Sequence, residues 1–418
     1  MDLETNFTTY FTDKKYRTMM IRRKFMRRVF ICLFIFGASF YLSMLLFGDM
    51  KSSRVPNLTD LDRCPACYGV SVCPELYSDH ITLDSKGWSK YFNAKNVYYG
   101  YTKSRRRVIL KKLAHDSELR ELDTNFCKHW GLRPNCKAMD VMNVTKQSIH
   151  DKVMKLVAYN FTWPGMAPRK GLVMCPYPFS FYDFVQPLFH GLPNLKLDMM
   201  YIWTMLMINP EPIVLTAIPK SKGWPVPAYA GVCGRVELVA YEGEPLSSLL
   251  HVKWHRRLVY AKKILDAAMD FTFKHDRFRF YLMDWSLDNI VVNNKEDVVT
   301  FVDLEDIIVL DKHISPKKDL PSWYERYNRE FVGLDFTFSI ENMCKHHLSD
   351  HNLWAACYVL AGPDRPLLYP IPKHISEKRP KLNELLQNCL QESDRFNAVT
   401  KLQTLFYEML RDYTVMER

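Results

Sequence analysis

The chain has 418 residues, 48% of them hydrophobic, with no internal repeat and no long low-complexity tract, so it can bury one large core or two lobes of ordinary size. Its formal charge is +11, but residues 1–28 hold eight Lys/Arg against three acids, which leaves about +6 for the remainder. That surplus suits acidic partners, whereas the absence of a nucleic-acid motif or an alternating basic and aromatic pattern excludes nucleic acid from the expected partners.

Residues 1–28 read as a basic cytosolic tail. Val29 to Gly48 follows as twenty uncharged residues rich in Phe, Leu and Ile, long enough to cross a bilayer as one helix. Lys14, Lys15, Arg17, Arg22, Arg23, Lys24, Arg27 and Arg28 precede it, against Lys51 and Arg54 after it, so the positive-inside rule predicts a type II signal anchor with a luminal body. A cleaved signal peptide fits less well, because the apolar run is long and no clear small-x-small site follows.

Of eleven cysteines, Cys32 lies in the apolar run and ten lie beyond it, an even number that an oxidising lumen would pair. Cys64-Pro65-Ala66-Cys67 could be half a zinc site or a redox pair, yet no second CxxC and no βαβ context supports either. The triplets at Asn57, Asn143 and Asn160 are glycosylation sequons on the same expected side. Residues 49–84 then read as a Cys-rich luminal stem.

From about residue 85 the pattern turns β-rich. Lys95 to Thr102 and Arg107 to Lys111 alternate as two strands, the second closed by the ammonium of Lys111. A buried lysine needs a carboxylate partner, and the helical stretch 117–123 offers Glu118, or alternatively Glu121. Asp198, in the apolar helix from about Leu195 to Ile208, is the second choice; residues 128–194 would then be an insertion.

Tyr229 to Leu250 predicts two strands around a Gly turn, running through Tyr241-Glu242-Gly243-Glu244 into a short helix. The segment at Tyr241 and Glu242 reads as a hinge between lobes, residues 85–242 and 243–418, whose backbone would face a planar base. His255 to Phe273 is an amphipathic helix with Leu258, Ala261, Ile264, Leu265, Ala268 and Phe271 near one face.

Leu282-Met283-Asp284-Trp285-Ser286-Leu287-Asp288-Asn289 carries the most chemistry. Ile290 to Val302 reads as a hairpin of two short β-branched strands around a polar turn, which returns Asp303 to the neighbourhood of Asn289. Phosphoryl transfer needs these groups: a carboxylate to orient and deprotonate an acceptor hydroxyl, and oxygen ligands for the divalent ion that neutralises the phosphates. Asp284 takes the catalytic role, Asn289 and Asp303 hold Mg²⁺ or Mn²⁺, and Lys111 contacts the phosphates of ATP. The fold expected is α+β, a two-lobed protein-kinase-like fold preceded by one transmembrane helix.

Cys64-Pro-Ala-Cys67-Tyr68-Gly69, Arg107-Val-Ile-Leu-Lys111, Asn209-Pro-Glu-Pro-Ile-Val-Leu215, Gly223-Trp-Pro225, Gly231-Val-Cys-Gly234 and the catalytic stretch together resemble the divergent protein kinase domain 2 family, secretory-pathway proteins related to the deleted-in-autism protein. The resemblance runs from about Cys64 to the C-terminus. It implies a Golgi or endoplasmic-reticulum membrane location, release in some members, and a luminal or extracellular protein as substrate or receptor. Several positions depart from the kinase pattern: Leu282-Met283 replaces His-Arg, Ser286 stands where Ser/Thr kinases carry Lys, no GxGxxG precedes Lys111, and Leu304-Glu305 follows Asp303 in place of Phe-Gly. Three readings follow: a luminal protein kinase, a binding or signalling pseudokinase, and a kinase for a glycan or small molecule.

Overall fold

The computed structural model describes residues 56–78, 80–84, 96–129, 131–133, 135–140, 172–175, 184–185, 195–313, 322, 340–391 and 394–416, together with Leu33 and Gly37. The rest of the expected anchor, two of the three sequons and the connection 85–95 lie outside these residues. The chain divides into two units, residues 1–57 with 85–94 and residues 58–84 with 95–418. Every element below belongs to the second.

A five-stranded antiparallel sheet forms the first half of that unit. Its strands are β1 (Ile81–Leu83), β2 (Val97–Thr102), β3 (Arg107–Lys112), β5 (Tyr229–Cys233) and β6 (Val236–Ala240), in the order β1-β2-β3-β6-β5. Helix α1 (Cys73–Tyr77) precedes β1, and between β3 and β5 in sequence lie α2 (Asp116–His129), β4 (Leu172–Cys175), α3 (Leu195–Ile208) and α4 (Glu211–Ala217). Alternating apolar residues on β3 bury Val108 and Leu110 against the core, leaving the Lys111 face turned toward the site.

Residues 58–84, read from sequence as stem, are built into this lobe. Tyr68 N–H donates to Gly234 O at 2.8 Å, Gly234 N–H donates back to Gly69 O at 2.7 Å, and Val72 N–H donates to Val232 O. Cys73–Cys233 then closes the segment onto β5 covalently. Only glycine fits at 234, where φ is +61° and a Cβ would lie 1.8 Å from Thr59 O. A stem reading misses this because the segment's hydrogen-bond partners are about 160 residues away.

The second half is mostly helical: α5 (Trp254–Phe273), α6 (Ile340–Lys345), α7 (His351–Ala361), α8 (Lys373–Lys378), α9 (Lys381–Gln391) and α10 (Arg395–Met416). Two small sheets lie against it, β10-β9-β7 and β4-β11-β8, from β7 (Glu244–Pro245), β8 (Phe278–Leu282), β9 (Ile290–Asn293), β10 (Val298–Phe301) and β11 (Ile307–Asp311). Strand β4 comes from the predicted insertion, yet it pairs in parallel with β11, and Cys175–Cys344 ties its end to α6. The insertion therefore contributes to the half that carries Asp284 and Asn289. Buried Arg395 pairs with Asp350 and donates to the carbonyls of Cys389 and Leu390, joining α10 to α7 and α9.

All ten downstream cysteines are paired: 64–67, 73–233, 127–136, 175–344 and 357–389. Among the described residues no single helix is long and apolar enough to span a membrane. The bent pair Met200–Ile208 with Glu211–Lys222 passes by length and composition, but its apolar side chains are core.

Candidate functional site

The hairpin β9–β10 builds one side of the site. Its register pairs Ile290 with Phe301, and Val302 N–H donates to Asn289 O at 2.9 Å, which sets Asn289 one residue from the partner of Asp303. Phe301 is fixed from behind, where its N–H donates to Pro225 O at 2.8 Å and its ring packs on Trp285 at 4.7 Å. Arg256 of α5 clips the turn by an ion pair to Asp297 at 2.5 Å. Asp303 itself takes φ +63°, a left-handed conformation that costs a non-glycine residue about 1–3 kcal/mol and is sustained only by its surroundings.

The loop that carries Asp284 is held from the helical side. The carbonyl of Leu282, two residues before Asp284, meets His351 Nε2 at 2.8 Å and accepts from Trp285 Nε1 at 3.1 Å. Leu282 N–H donates to Asn352 Oδ1 at 3.1 Å, while Asn352 Nδ2 donates to Phe280 O and Thr272 Oγ1. Asp284 is exposed at the loop's tip, accepting from Ser286 N–H at 2.8 Å. Farther along, Ser247 Oγ donates to Asp288 at 2.5 Å and binds the loop to the segment after the hinge.

Lys111 reaches across from β3. Its Nζ donates to Glu211 Oε2 at 2.5 Å and to Asp303 Oδ1. Burial opposes its charge, but the carboxylates of Glu211 and then Asp303 outweigh that and hold its pKa well above the ordinary lysine value. Glu211 is itself oriented: Oε1 accepts from Leu304 N–H at 3.1 Å, and its own N–H donates to Asn209 Oδ1 at 3.0 Å. Asn209 Nδ2 in turn donates to Glu305 at 2.5 Å. Burial, then the charge of Asp303, pushes Glu305 up to about 7.

The carboxylate that Lys111 selects is thus Glu211, and neither Glu118 nor Asp198 takes that place. Glu118 accepts from His115 N–H at 2.5 Å and caps the start of α2, as an acid in a first helical turn does. Asp198 lies on α3, and its side chain falls outside the described residues. Glu211 stands between Pro210 and Pro212 at the head of α4, an acid set in an apolar run, and that isolation was the available signal. Glu237, the register partner of Lys111 on β6, was not singled out by any motif.

At the hinge the side chains turn to other tasks. Tyr241 lies under the Arg107 guanidinium at 3.8 Å and donates to Glu244, and burial followed by that hydrogen bond pushes its pKa up to about 12. Glu242 pairs with Lys220 and accepts from Ala228 N–H at 3.0 Å. Gly243 has φ +139°, and a Cβ there would meet Val292 O at 2.1 Å, so the hinge backbone packs directly on β9. The side chains of Tyr241 and Glu242 are thus engaged with Arg107, Glu244 and Lys220.

Among the described residues no three His, Cys, Asp or Glu converge as a closed metal cage. The donors present are one amide oxygen and one carboxylate, Asn289 and Asp303, which suits a hard divalent ion that keeps waters and shares its shell with phosphates. The residues therefore fit such an ion held jointly with a nucleotide.

The sequence has known relatives. Residues 202–392 match the model described as the protein-kinase domain of FAM69. Across the chain, 408 residues align at 31% identity with divergent protein kinase domain 2A of Xenopus tropicalis, covering 89% of this chain and 93% of that one. The chain belongs to the divergent protein kinase domain 2 family. The human 2A protein is 31% identical over 363 residues, covering 80% of this chain and 83% of its own length. Mouse divergent protein kinase domain 2B is 25% identical over 207 residues, 44% and 45% of the two chains. The kinase-like fold expected from the sequence is thereby supported for this member of the divergent protein kinase domain 2 family.

Proposed function

We propose that this divergent kinase is an ATP-dependent phosphotransferase of the secretory pathway, anchored by residues 29–48, whose acceptor is a luminal or extracellular protein. The observation that carries the reading is the pair of ion pairs from Lys111 to Glu211 and to Asp303, with Asn289 brought alongside by the hairpin. A lysine fixed by one carboxylate and adjoining a second is placed to take phosphate oxygens once a divalent ion engages the second.

Each residue then has a task. Lys111 binds phosphate oxygens, and Glu211 keeps it extended toward them. Asn289 and Asp303 supply the protein ligands for Mg²⁺ or Mn²⁺, which when bound neutralises phosphate charge. Asp284, exposed at the loop's tip and fixed through Ser286 N–H, orients the acceptor hydroxyl and takes its proton. The hinge backbone from Tyr241 to Glu244 holds the base.

Five disulfides support an oxidising compartment, which agrees with a luminal body. The sequence departures at Ser286 and around Asp303 favour a slow or specialised enzyme over a general protein kinase. Phosphate transfer from labelled ATP to secreted proteins by the full chain, compared with Asp284→Asn, tests the reading; nucleotide binding without any transfer would move it to a pseudokinase.

A further inference from the structure

The turn between β2 and β3 concentrates positive charge that this half of the molecule neutralises elsewhere. Lys103, Arg105, Arg106 and Arg107 stand within five residues at the tip of that hairpin, and all four are exposed. Among the described residues only Arg107 has an acidic partner, Glu244 at 3.9 Å, and the two side chains are 40% and 56% exposed. A pair so open to water is screened and holds little. Other cations nearby are matched more closely: Arg235 meets Asp60 and Asp116 at 2.7 Å, Arg63 meets Asp123 at 3.0 Å, and Lys112 meets Asp60 at 3.5 Å.

The tip is also held in one shape. Thr102 N–H donates to Arg106 O at 2.9 Å, Arg105 N–H donates to Thr102 O at 2.8 Å, and Lys103 N–H donates to His80 O at 3.0 Å. Arg106 N–H donates to Thr102 Oγ1 at 3.1 Å, which closes the turn. Arg105 takes φ +58°, left-handed backbone that suits Gly or Asn and strains a long side chain. Stability alone would place glycine there, so the guanidinium is retained at a cost to the fold. Arg107 lies over the rings of Tyr241 at 3.8 Å and Tyr99 at 5.7 Å, which fixes the flank of the tip. Cations carried on a preset backbone are already ordered when a partner arrives, and binding loses less entropy.

We propose that the β2–β3 tip is a docking site for a sulfated polysaccharide. Adjacent cations on one rigid projection call for a partner that presents several anionic groups along a chain, since a single carboxylate or phosphate would engage one of them and leave the others repelling each other. Basic clusters of this length fit nucleic acid or heparin-like chains. Five disulfides agree with an oxidising compartment, where sulfated chains and not nucleic acid are the polyanion at hand. The choice between the two polyanions rests on the luminal reading above, whereas the charge, exposure and rigidity of the tip do not.

The test is a titration of the purified full chain with heparin oligosaccharides, with the same oligosaccharides stripped of sulfate, and with single-stranded DNA of matched length. The parent should bind heparin, more weakly as salt is raised, and should not bind the desulfated chains. Arg105→Gly combined with Arg106→Gln removes two cations and relieves the left-handed backbone, so Tm should hold or rise while heparin affinity falls about tenfold. Lys378→Ala combined with Lys381→Ala removes the same charge from exposed positions on α8 and α9 and should leave heparin binding as in the parent. No heparin binding, equal loss in the two double variants, or parent binding to desulfated chains as tight as to heparin would overturn the proposal. DNA bound as tightly as heparin would overturn the choice of a sulfated chain. Heparin binding at the tip in a chain that takes up no ATP would support the docking site and sink the nucleotide reading instead.

Discussion

Lys111 and Glu211, one hundred positions apart in sequence, meet at 2.5 Å, and the second oxygen of Glu211 holds the backbone just beyond Asp303. One carboxylate thereby links the sheet that carries the lysine to the segment that carries the expected metal ligand. Glu211→Gln should destabilise the fold by about 2–3 kcal/mol, less than orphaning a buried charge entirely because Asp303 still holds Lys111. Denaturant unfolding of the full chain checks this, and ATP affinity should fall in the same variant.

Asp284 and Asp303 should separate chemistry from binding. Asp284→Asn removes the base yet leaves Lys111, Asn289 and Asp303 in place, so turnover should drop by about 10²–10⁴-fold with nucleotide affinity nearly unchanged. Asp303→Asn should weaken both together, since a neutral amide is a poorer ligand for a hard cation. Isothermal titration and single-turnover transfer on the two variants provide the comparison. Equal transfer in Asp284→Asn and the parent would contradict the assignment.

The legibility of this site followed sequence distance. Asn289 and Asp303 were readable because a short β-branched hairpin joins them, and strands at 290–293 and 298–301 form with that register. The helix predicted from His255 to Phe273 begins one residue earlier, at Trp254. The partner of Lys111 was not readable, because local helical pattern favoured Glu118 while the true acid lay past an insertion. Pairing of β4 with β11 and of residues 68–72 with β5 was hidden for the same reason: nothing local marks a contact more than 130 residues away.

Asn352 should matter to the Asp284 loop because it holds the strand that leads into it. It accepts from Leu282 N–H and donates to Phe280 O, so Asn352→Ala would strand two buried backbone groups at about 1–3 kcal/mol each. A Tm loss of several degrees is expected. Asn352→Asp should recover the Leu282 bond alone and rescue part of it.

The disulfide Cys73–Cys233 closes a separation of 160 residues and fastens the Cys-rich segment to the sheet. Replacing both by Ser should cost about 3–5 kcal/mol by the loop-entropy estimate. The matching readout is a Tm that no longer responds to reductant as strongly as the parent's.

His275 gives the fold an acid limit. Its Nδ1 accepts from Arg277 N–H and Phe278 N–H, both at 3.0 Å, and burial followed by the charge of Lys312 lowers its pKa below 6.5. A base with a lowered folded pKa binds fewer protons folded than unfolded, so stability is full above the unfolded value and is lost as pH falls through the folded one. His275→Asn keeps an acceptor that does not titrate, and its Tm should fall less between about pH 7 and about pH 5. An unchanged slope would remove His275 from the account.

The most direct test of the central claim is a calorimetric titration of the full chain with ATP, in Mn²⁺, in Mg²⁺ and in chelator, alongside Asp303→Asn. The site described here predicts saturable binding that requires the divalent ion, raises Tm by mass action, and is lost in Asp303→Asn. Absence of binding, or binding of equal strength in chelator and in the variant, would contradict the convergence of Lys111, Asn289 and Asp303 on one nucleotide.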